Sequence, residues 1–470
     1  MKPGLVSDLE AILGAACVST DVKKVERYTG DALGVYRAFR AASRLNAQPA
    51  TVVFPQSTAH VSQLLKYASL HEAPVVPYGG GTGVMGAAAP IEECIVLSLR
   101  DLNKTLNVSE TDRTATFQPG VVLEDAASAL NEAGLVLGHD PWSRPVATVA
   151  GAISTNGVGY TAAKHGCMGD QVLGLEAVLA TGEVVRTKGV PKHSFGPSLK
   201  SLFIGTEGTL GVITEATLRV FPRPEKKLIT GVVFPDFESG FHAVSQLYAE
   251  GVRPLVVDYG AEMWDDRDTD SGSATLHIGF DGFEQDVDTQ LGRALDICSR
   301  FDGRRGDDGV AQRFWKDRHS SGERYRRDVV ESGSPLTARR SRSAYRMDYL
   351  HVALPVSKVL EYRQRCQRVF SGNQVIVREW SLWGMPEYFS FMIAREHDED
   401  EASAAILGEV VDQVLGMAQE MGGTMEYCHG VGVKLSHMMD EELGSGMNVM
   451  RSIKRALDPA GILNPGKLIP

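Results

Sequence analysis

The run Glu426-Tyr-Cys-His429-Gly-Val-Gly432 sets one imidazole between a carboxylate and two glycines. A histidine titrates near neutrality and can take a proton from a reacting group, so His429 is the chain's best candidate for proton transfer. A second run, PYGGGTGVMG, matches G-x-G-x-x-G formally at Gly81, Gly83 and Gly86. Its context is wrong for a dinucleotide-binding strand–turn–helix. AAAP follows, Pro90 ends any helix quickly, and no acidic residue closes a following strand in the expected way. No lysine follows as in a phosphate-binding NTPase loop. The better reading is an anion nest, with the N–H groups from Gly79 to Val84 wrapping a pyrophosphate. A third stretch, Gly138 to Pro224, alternates glycines and small hydroxyl residues with short β-branched runs. Such a backbone can approach a large flat ligand closely and offers many N–H groups to phosphate oxygens.

The elements that must hold these runs are short. Val52-Val53-Phe54 reads as a strand. Ser57 or Thr58 can cap a helix whose apolar positions Val61, Leu64, Leu65 and Ala68 fall at i, i+3, i+4 and i+7. Val75-Val76-Pro77 starts a second strand that ends in the glycine cluster, so this part is α/β. Further units are Cys94 to Leu99, Thr114 to Phe117, a helix from Leu123 to Ala133 ended by Gly134, and Leu135-Val136. Leu173 to Ala180, a Thr181-Gly182 turn and Glu183 to Thr187 predict a β-hairpin. Leu210 to Phe221 is a strand stopped at Pro222-Arg-Pro224. After Lys227 the chain reads as strands alternating with amphipathic helices, as in Ile229 to Phe234, Phe241 to Ala249, Leu276 to Phe280 and Val287 to Ile297. The tail from Met447 to Pro470 is a basic amphipathic helix running into LDPAGILNPGKLIP.

At 470 residues two to three domains are expected, and 43% hydrophobic with 23% charged residues is an ordinary globular composition. A net charge of -11 argues against a general nucleic-acid binder. The cysteines (Cys17, Cys94, Cys167, Cys298, Cys366, Cys428) are scattered without a C-x-x-C pair, which suits a reducing compartment. The start, with Asp8 and Glu10 before its apolar stretch, does not read as a signal peptide, and no apolar run is long enough to span a bilayer. A cytoplasmic protein is expected. Residues 313 to 346 hold ten Lys/Arg (Arg313, Lys316, Arg318, Arg324, Arg326, Arg327, Arg339, Arg340, Arg342, Arg346) against four acids (Asp317, Glu323, Asp328, Glu331). That surplus either steers an anionic substrate or acidic electron-transfer partner, or belongs to a solvated loop. The acidic run His397 to Glu401 reads as an exposed loop.

PYGGGTGVMG, DPWSRPVATVAGAISTNGVG, GTEGTLGVITEATLRV and LDPAGILNPGKLIP stand in this order at suitable distances. Together they resemble the FAD-linked oxidase family that contains D-lactate dehydrogenase, the glycolate oxidase flavin subunit and alkylglycerone-phosphate synthase. The resemblance implies an α+β chain. It would have a two-subdomain FAD-binding domain of the vanillyl-alcohol-oxidase (PCMH) type over residues 1–224. An α/β cap (substrate) domain over 225–424 and a segment over 425–470 that returns to the FAD domain would follow. It also implies that Tyr78, Gly79, Gly80, Gly81, Thr82, Gly83 and Val84 hold the pyrophosphate. Asp140, Pro141, Thr148, Gly151, Ser154, Asn156 and Gly159 would line the flavin and ribityl chain. Glu207, Gly211, Val212 and Ile213 would contact the adenosine side, and Asn464 would reach toward the flavin from the tail. Some relatives attach flavin through a histidine in the glycine loop; Thr82 stands in that loop here with no histidine, so non-covalent FAD is expected.

Relatives carry a histidine in a matching H-G-x-G context near the reactive edge of the flavin, which implies His429 as the base for oxidation of a CH–OH group of a small hydroxy compound, with 2-hydroxy acids among the candidates. The hydroxy-acid dehydrogenases of the family also bind a divalent metal through two histidines and a glutamate. Laid ungapped, this chain has Trp383, Ser390 and Cys428 at those places, so no metal is expected. Arg378 and Tyr388-Phe-Ser-Phe391 resemble the arginine and tyrosine-rich strand of alkylglycerone-phosphate synthase. Arg378 would then clamp an anion and Tyr388 would give or take a proton. His351 reads as structural. The partners implied are a small-molecule substrate, an unnamed electron acceptor and, as in many relatives, a second copy of the chain. Two alternatives stay open: a redox-neutral transferase that uses flavin as an electron sink, and a flavoprotein electron-transfer subunit.

Overall fold

Short β-branched runs separated by helices and turns give three sheets that matter for function. The structure, a computed structural model, describes residues 4–34, 37–38, 47–262, 272–332, 345–396 and 401–469. Arg339, Arg340, Arg342 and most of the acidic run at His397 lie outside the described residues.

The first sheet orders its strands Val18–Ser19, Thr51–Val53, Ile95–Ser98 and Val75–Tyr78, with the last three parallel. The helix Thr58–Leu70 crosses between two of them, and Ser57 caps it by accepting from His60 N at 3.2 Å. Its buried residues are Val61, Leu64, Leu65 and Ala68, the apolar stripe of the sequence. The strand Val75–Tyr78 thereby delivers the glycine loop at its C-terminal end, the usual ligand-binding edge of a parallel sheet.

The second sheet is antiparallel, in the order Thr105–Ser109, Thr114–Phe117, Val212–Arg219, Val172–Val178 and Val184–Arg186. The predicted hairpin is its edge pair. The helix Val149–Thr155 packs against Val212–Arg219. Thr148 caps that helix by accepting from Gly151 N, and Asn156 ends it in the left-handed region at φ 50°.

The third sheet has seven strands, all antiparallel, in the order Arg304–Arg305, Lys226–Phe234, Ala274–Gly282, Val256–Glu262, Ile376–Trp383, Tyr388–Glu396 and Tyr345–Ala353. The helices Phe237–Ala249, Glu284–Ser299, Val356–Gly372 and Glu401–Glu420 cover it. Because side chains alternate along a strand, Leu350, Val352, Trp380, Leu382, Phe389 and Phe391 join the helices in one apolar core. The alternate positions Tyr349, His351, Ser381, Trp383, Tyr388 and Ser390 fall on the other face. Those four helices leave that face to other contacts, including the helix Asp308–Asp317, whose Phe314 stacks on His277 with ring centroids 4.3 Å apart.

The tail returns to the first sheet. Its helix Gly446–Leu457 is tied down by Lys454 Nζ, which donates to Thr209 O at 2.8 Å and Leu463 O at 2.7 Å. Val75 N donates to Ile462 O and Asn464 N to Val75 O, each at 2.8 Å, so the tail pairs with the strand that feeds the glycine loop. Among the described residues no helix is long and apolar enough to cross a membrane.

Candidate active site

The glycine loop must come within contact of the helix Val149–Thr155, and side chains would prevent it. A Cβ on Gly80 would stand 2.5 Å from Val146 O and 3.0 Å from Ala147 Cα; one on Gly79 would stand 2.6 Å from Thr148 Oγ1. Gly81 takes φ 68°, and Tyr78, buried beneath it, donates its hydroxyl to Gly30 O at 3.0 Å. No backbone N–H of residues 79–84 donates to another described residue, which leaves this run of donors to a ligand. Gly80→Ala is expected to cost FAD binding, because the Cβ meets backbone that cannot move aside. The purified variant should lose its flavin absorbance on desalting, whereas retention of one flavin per chain would show that the loop gives way.

These segments wall one cavity that opens to solvent. Residues 78–84 line it, as do Pro141, Thr148, Gly151, Ser154, Gly159, Glu207, Gly211, Val212, Ile213 and His429. Asp140, Asn156, Asn464, Tyr388 and Arg378 do not. Asn156 holds a neighbouring turn, accepting from Gly169 N at 2.9 Å. Arg378 is buried at the β-bulge of the strand Ile376–Trp383. Tyr388 stacks on Tyr427 with ring centroids 4.4 Å apart, its hydroxyl 3.9 Å from Cys167 Sγ.

Two of the residues expected to contact FAD, Glu207 on the adenosine side and Asn464 from the tail, also act as ties between loops. Glu207, at φ 52°, accepts from Val431 N at 2.6 Å and from Gly432 N at 2.9 Å. Burial raises its carboxyl to about 7, against the pull of those two N–H groups. A Cβ on Gly430 would strike the Glu207 carboxylate, which explains a glycine directly after His429. Asn464 Nδ2 donates to Glu207 O at 2.7 Å and Ala87 O at 2.9 Å, joining the tail to both loops.

Asp140 is a hub. Its carboxylate takes Arg318 Nε at 2.7 Å, His319 Nε2 at 2.8 Å and Arg144 Nη1 at 2.9 Å. Burial alone would raise it, but the His319 hydrogen bond and the Arg318, His319 and Arg144 charges hold it well below the usual carboxylate range. Arg318 also lies over Trp315 at 3.7 Å, and Tyr325 donates to Gly81 O at 2.7 Å. The basic segment therefore straps the third-sheet unit onto the glycine loop. Arg326 pairs with Glu323 at 2.6 Å and Arg327 with Asp328 at 2.7 Å, acids already counted within the segment, while Asp140 takes Arg318 from the surplus.

His429 is half-buried, beside Cys428 and Trp383 on the cavity wall. Burial, with Arg37 and Lys434 nearby, pushes it down to about 3. Those cations flank Asp348, at 2.5 Å and 2.6 Å. The loop itself is pinned by Glu426, which accepts from Cys428 N at 2.7 Å and His429 N at 2.9 Å. Trp383 and Ser390, read as replacing metal ligands, come together here. Trp383 is 5.6 Å from His351 between ring centroids, and Ser390 Oγ is 2.8 Å from His351 Nδ1. Among the described residues no group of three or more His, Cys, Asp or Glu is placed to hold a metal ion.

Sequence reasoning missed His139, Trp142 and Tyr160, which also line the cavity. His139 is buried with Nδ1 unpartnered among the described residues, and burial lowers it to about 4. Its place directly before Asp140-Pro141 was the available signal. The cavity, the run of available N–H donors and the orphaned imidazole nitrogen of His139 all fit a bound dinucleotide cofactor with a polar aromatic ring system.

Comparison with known proteins agrees with the geometry. Residues 49–188 match the family described as FAD binding domain, and residues 223–468 match FAD linked oxidases, C-terminal domain. The chain is 31% identical over 442 residues to a D-lactate dehydrogenase of Archaeoglobus fulgidus, covering 90% of this chain and 92% of that one. It is 28% identical over 448 residues to a glycolate oxidase subunit of Bacillus subtilis, covering 92% and 91%. An alkyldihydroxyacetonephosphate synthase structure superposes with a TM-score of 0.75 at 20% identity, over 99% of this chain and 85% of that one. p-Cresol methylhydroxylase with substrate bound gives 0.75 at 20% identity, over 99% and 96%. At that identity the two structures show the shared fold alone.

Proposed function

For a chain that belongs to the FAD-linked oxidases, we propose oxidation of a CH–OH group of a small hydroxy compound, with His429 as the base that takes the hydroxyl proton. Bound FAD supplies the hydride acceptor. The observation that carries the reading is the place of His429. It is the imidazole of the H-G-x-G run, it lines the cavity with Trp383, and its loop is fixed by Glu426 at His429 N and by Glu207 at Val431 N. Held down by burial, the imidazole is neutral at physiological pH and carries a free lone pair, though the same burial makes it a weaker base than an exposed imidazole. Residues 78–84 hold the pyrophosphate through their N–H groups, and the helix Val149–Thr155 with Pro141 and Gly159 lies along the flavin. The matched relatives whose names state hydroxy-acid substrates support a 2-hydroxy acid as the first class to try. Trp383 and Tyr160, with ring centroids 6.3 Å apart, supply an aromatic wall for the substrate.

The test is anaerobic loss of the visible flavin absorbance against a panel of hydroxy acids, sugar acids and aromatic alcohols. Bleaching by one class, unchanged after treatment with EDTA, is expected. A holoenzyme that no alcohol bleaches would overturn the reading. Activity that EDTA removes and a divalent metal restores would show that Trp383, Ser390 and Cys428 do not abolish metal binding.

A further inference from the structure

His351 stands in the strand Tyr345–Ala353, fully buried, and the reaction as described makes no use of it. Its Nδ1 lies 2.8 Å from Ser390 Oγ, which is itself 2.7 Å from the Tyr427 hydroxyl. Its Nε2 is buried and meets no hydrogen-bond partner among the described residues. The ring faces His429 edge-on, with centroids 4.4 Å apart and planes at 82°. His429 Nδ1 is also buried and unpartnered among the described residues. Buried polar nitrogens left unmade are costly and rare, and two on touching rings call for a common explanation. A neutral imidazole carries one N–H and one lone pair, so two such rings can satisfy each other.

We propose that His351 is a positioning residue that accepts a hydrogen bond from His429 Nδ1–H, directly after a small turn of either ring or through one bridging water. This fixes the tautomer of His429 that presents its Nε2 lone pair to the substrate hydroxyl. The inference rests on the reading of His429 as base. The polar chain behind it is compatible with that direction. With Nε2 accepting, a neutral His351 carries its proton on Nδ1 and donates to Ser390 Oγ, which can bond the Tyr427 hydroxyl in turn. Both imidazoles are held far toward the neutral form by burial, so the dyad orients a proton acceptor and stores no charge. An aspartate is the familiar partner for this task, and a wrong tautomer there costs several orders of magnitude in rate. A histidine does the same work beside Arg37 and Lys434 without adding a buried anion.

The test uses the FAD-loaded protein with His351→Phe, which keeps a ring but accepts no hydrogen bond, and His351→Gln, whose amide oxygen can accept one. The Phe variant should bind substrate within about 3-fold of the parent and reduce its flavin roughly 30- to 300-fold more slowly. The Gln variant should recover most of that loss. Nitrogen-15 spectra of the histidine side chains should show His429 protonated at Nδ1 in the parent and redistributed in the Phe variant. Should the Phe variant not fold, the Gln variant and the parent spectrum still decide. A Phe variant that reduces flavin at the parental rate, or a parent spectrum with His429 protonated at Nε2, overturns the proposal. If no alcohol bleaches the parent, the base reading fails, and the spectra alone report whether the two rings are paired.

Discussion

Replacing His429 by alanine is expected to leave FAD bound and to slow flavin reduction by the substrate at least ~100-fold. The local structure makes this substitution unusually clean. The backbone of the loop is held by Glu426 at Cys428 N and His429 N and by Glu207 at Val431 N and Gly432 N. The imidazole makes none of those bonds, so its removal should take away the proton acceptor and little else. Anaerobic stopped-flow reduction gives the rate, and flavin content after desalting gives the binding. A variant that bleaches as fast as the parent would remove His429 from the mechanism.

The pH profile carries the same argument further. A base is active above its pKa, and His429 is pushed down to about 3, so its neutral form persists through the working range. Its protonation should therefore put no acid limb on the parental rate above about pH 5. A limb near pH 7 that survives in the His429→Ala variant belongs instead to the two carboxyls that pin the loop, Glu207 and Glu426, both of which burial raises to about 7. Protonating Glu207 weakens its hold on Val431 and Gly432 and loosens the loop.

The cofactor half of the site was legible because its signals are local. A glycine is needed where Gly80 meets Val146 O, whatever the rest of the fold does, and such needs leave a readable pattern over a few residues. The same holds for the stripe Val61, Leu64, Leu65 and Ala68 and for the cap at Ser57. Contacts that depend on long-range pairing left no such pattern. Glu207 and Asn464 stand in flavin-binding motifs, yet their side chains tie loops more than 200 residues apart in sequence. His351 was read as structural because one histidine on a strand gives no hint that it faces His429 across the cap. The antiparallel order of the third sheet is a matter of topology, and alternating strand and helix signals alone leave it undetermined.

Asp140 shows how far a motif position can depart from its apparent role, and it yields the second large effect. Asp140→Ala is expected to cost about 3–5 kcal/mol, because it strands Arg318, Arg144 and His319 around a buried void where one carboxylate served all three. Arg144 retains Glu124 at 2.7 Å and Arg318 retains Trp315, so the greater part of the loss falls on the contact between the strap and the FAD-binding unit. Thermal unfolding of the FAD-loaded variant should shift down, and limited proteolysis should open within residues 308–332 before it does in the parent. The acid side follows with a definite sign. A carboxyl held below its ordinary value in the fold stabilises it above the unfolded pKa of about 3.9, and that contribution is lost as the pH falls through the folded value. The parent should therefore lose stability between about pH 4 and lower values in a component that the variant lacks. Equal acid limbs in the two proteins, with strap cleavage unchanged, would mean that Asp140 does not hold the strap; retention of FAD by the variant would place the residue in domain closure and outside cofactor binding.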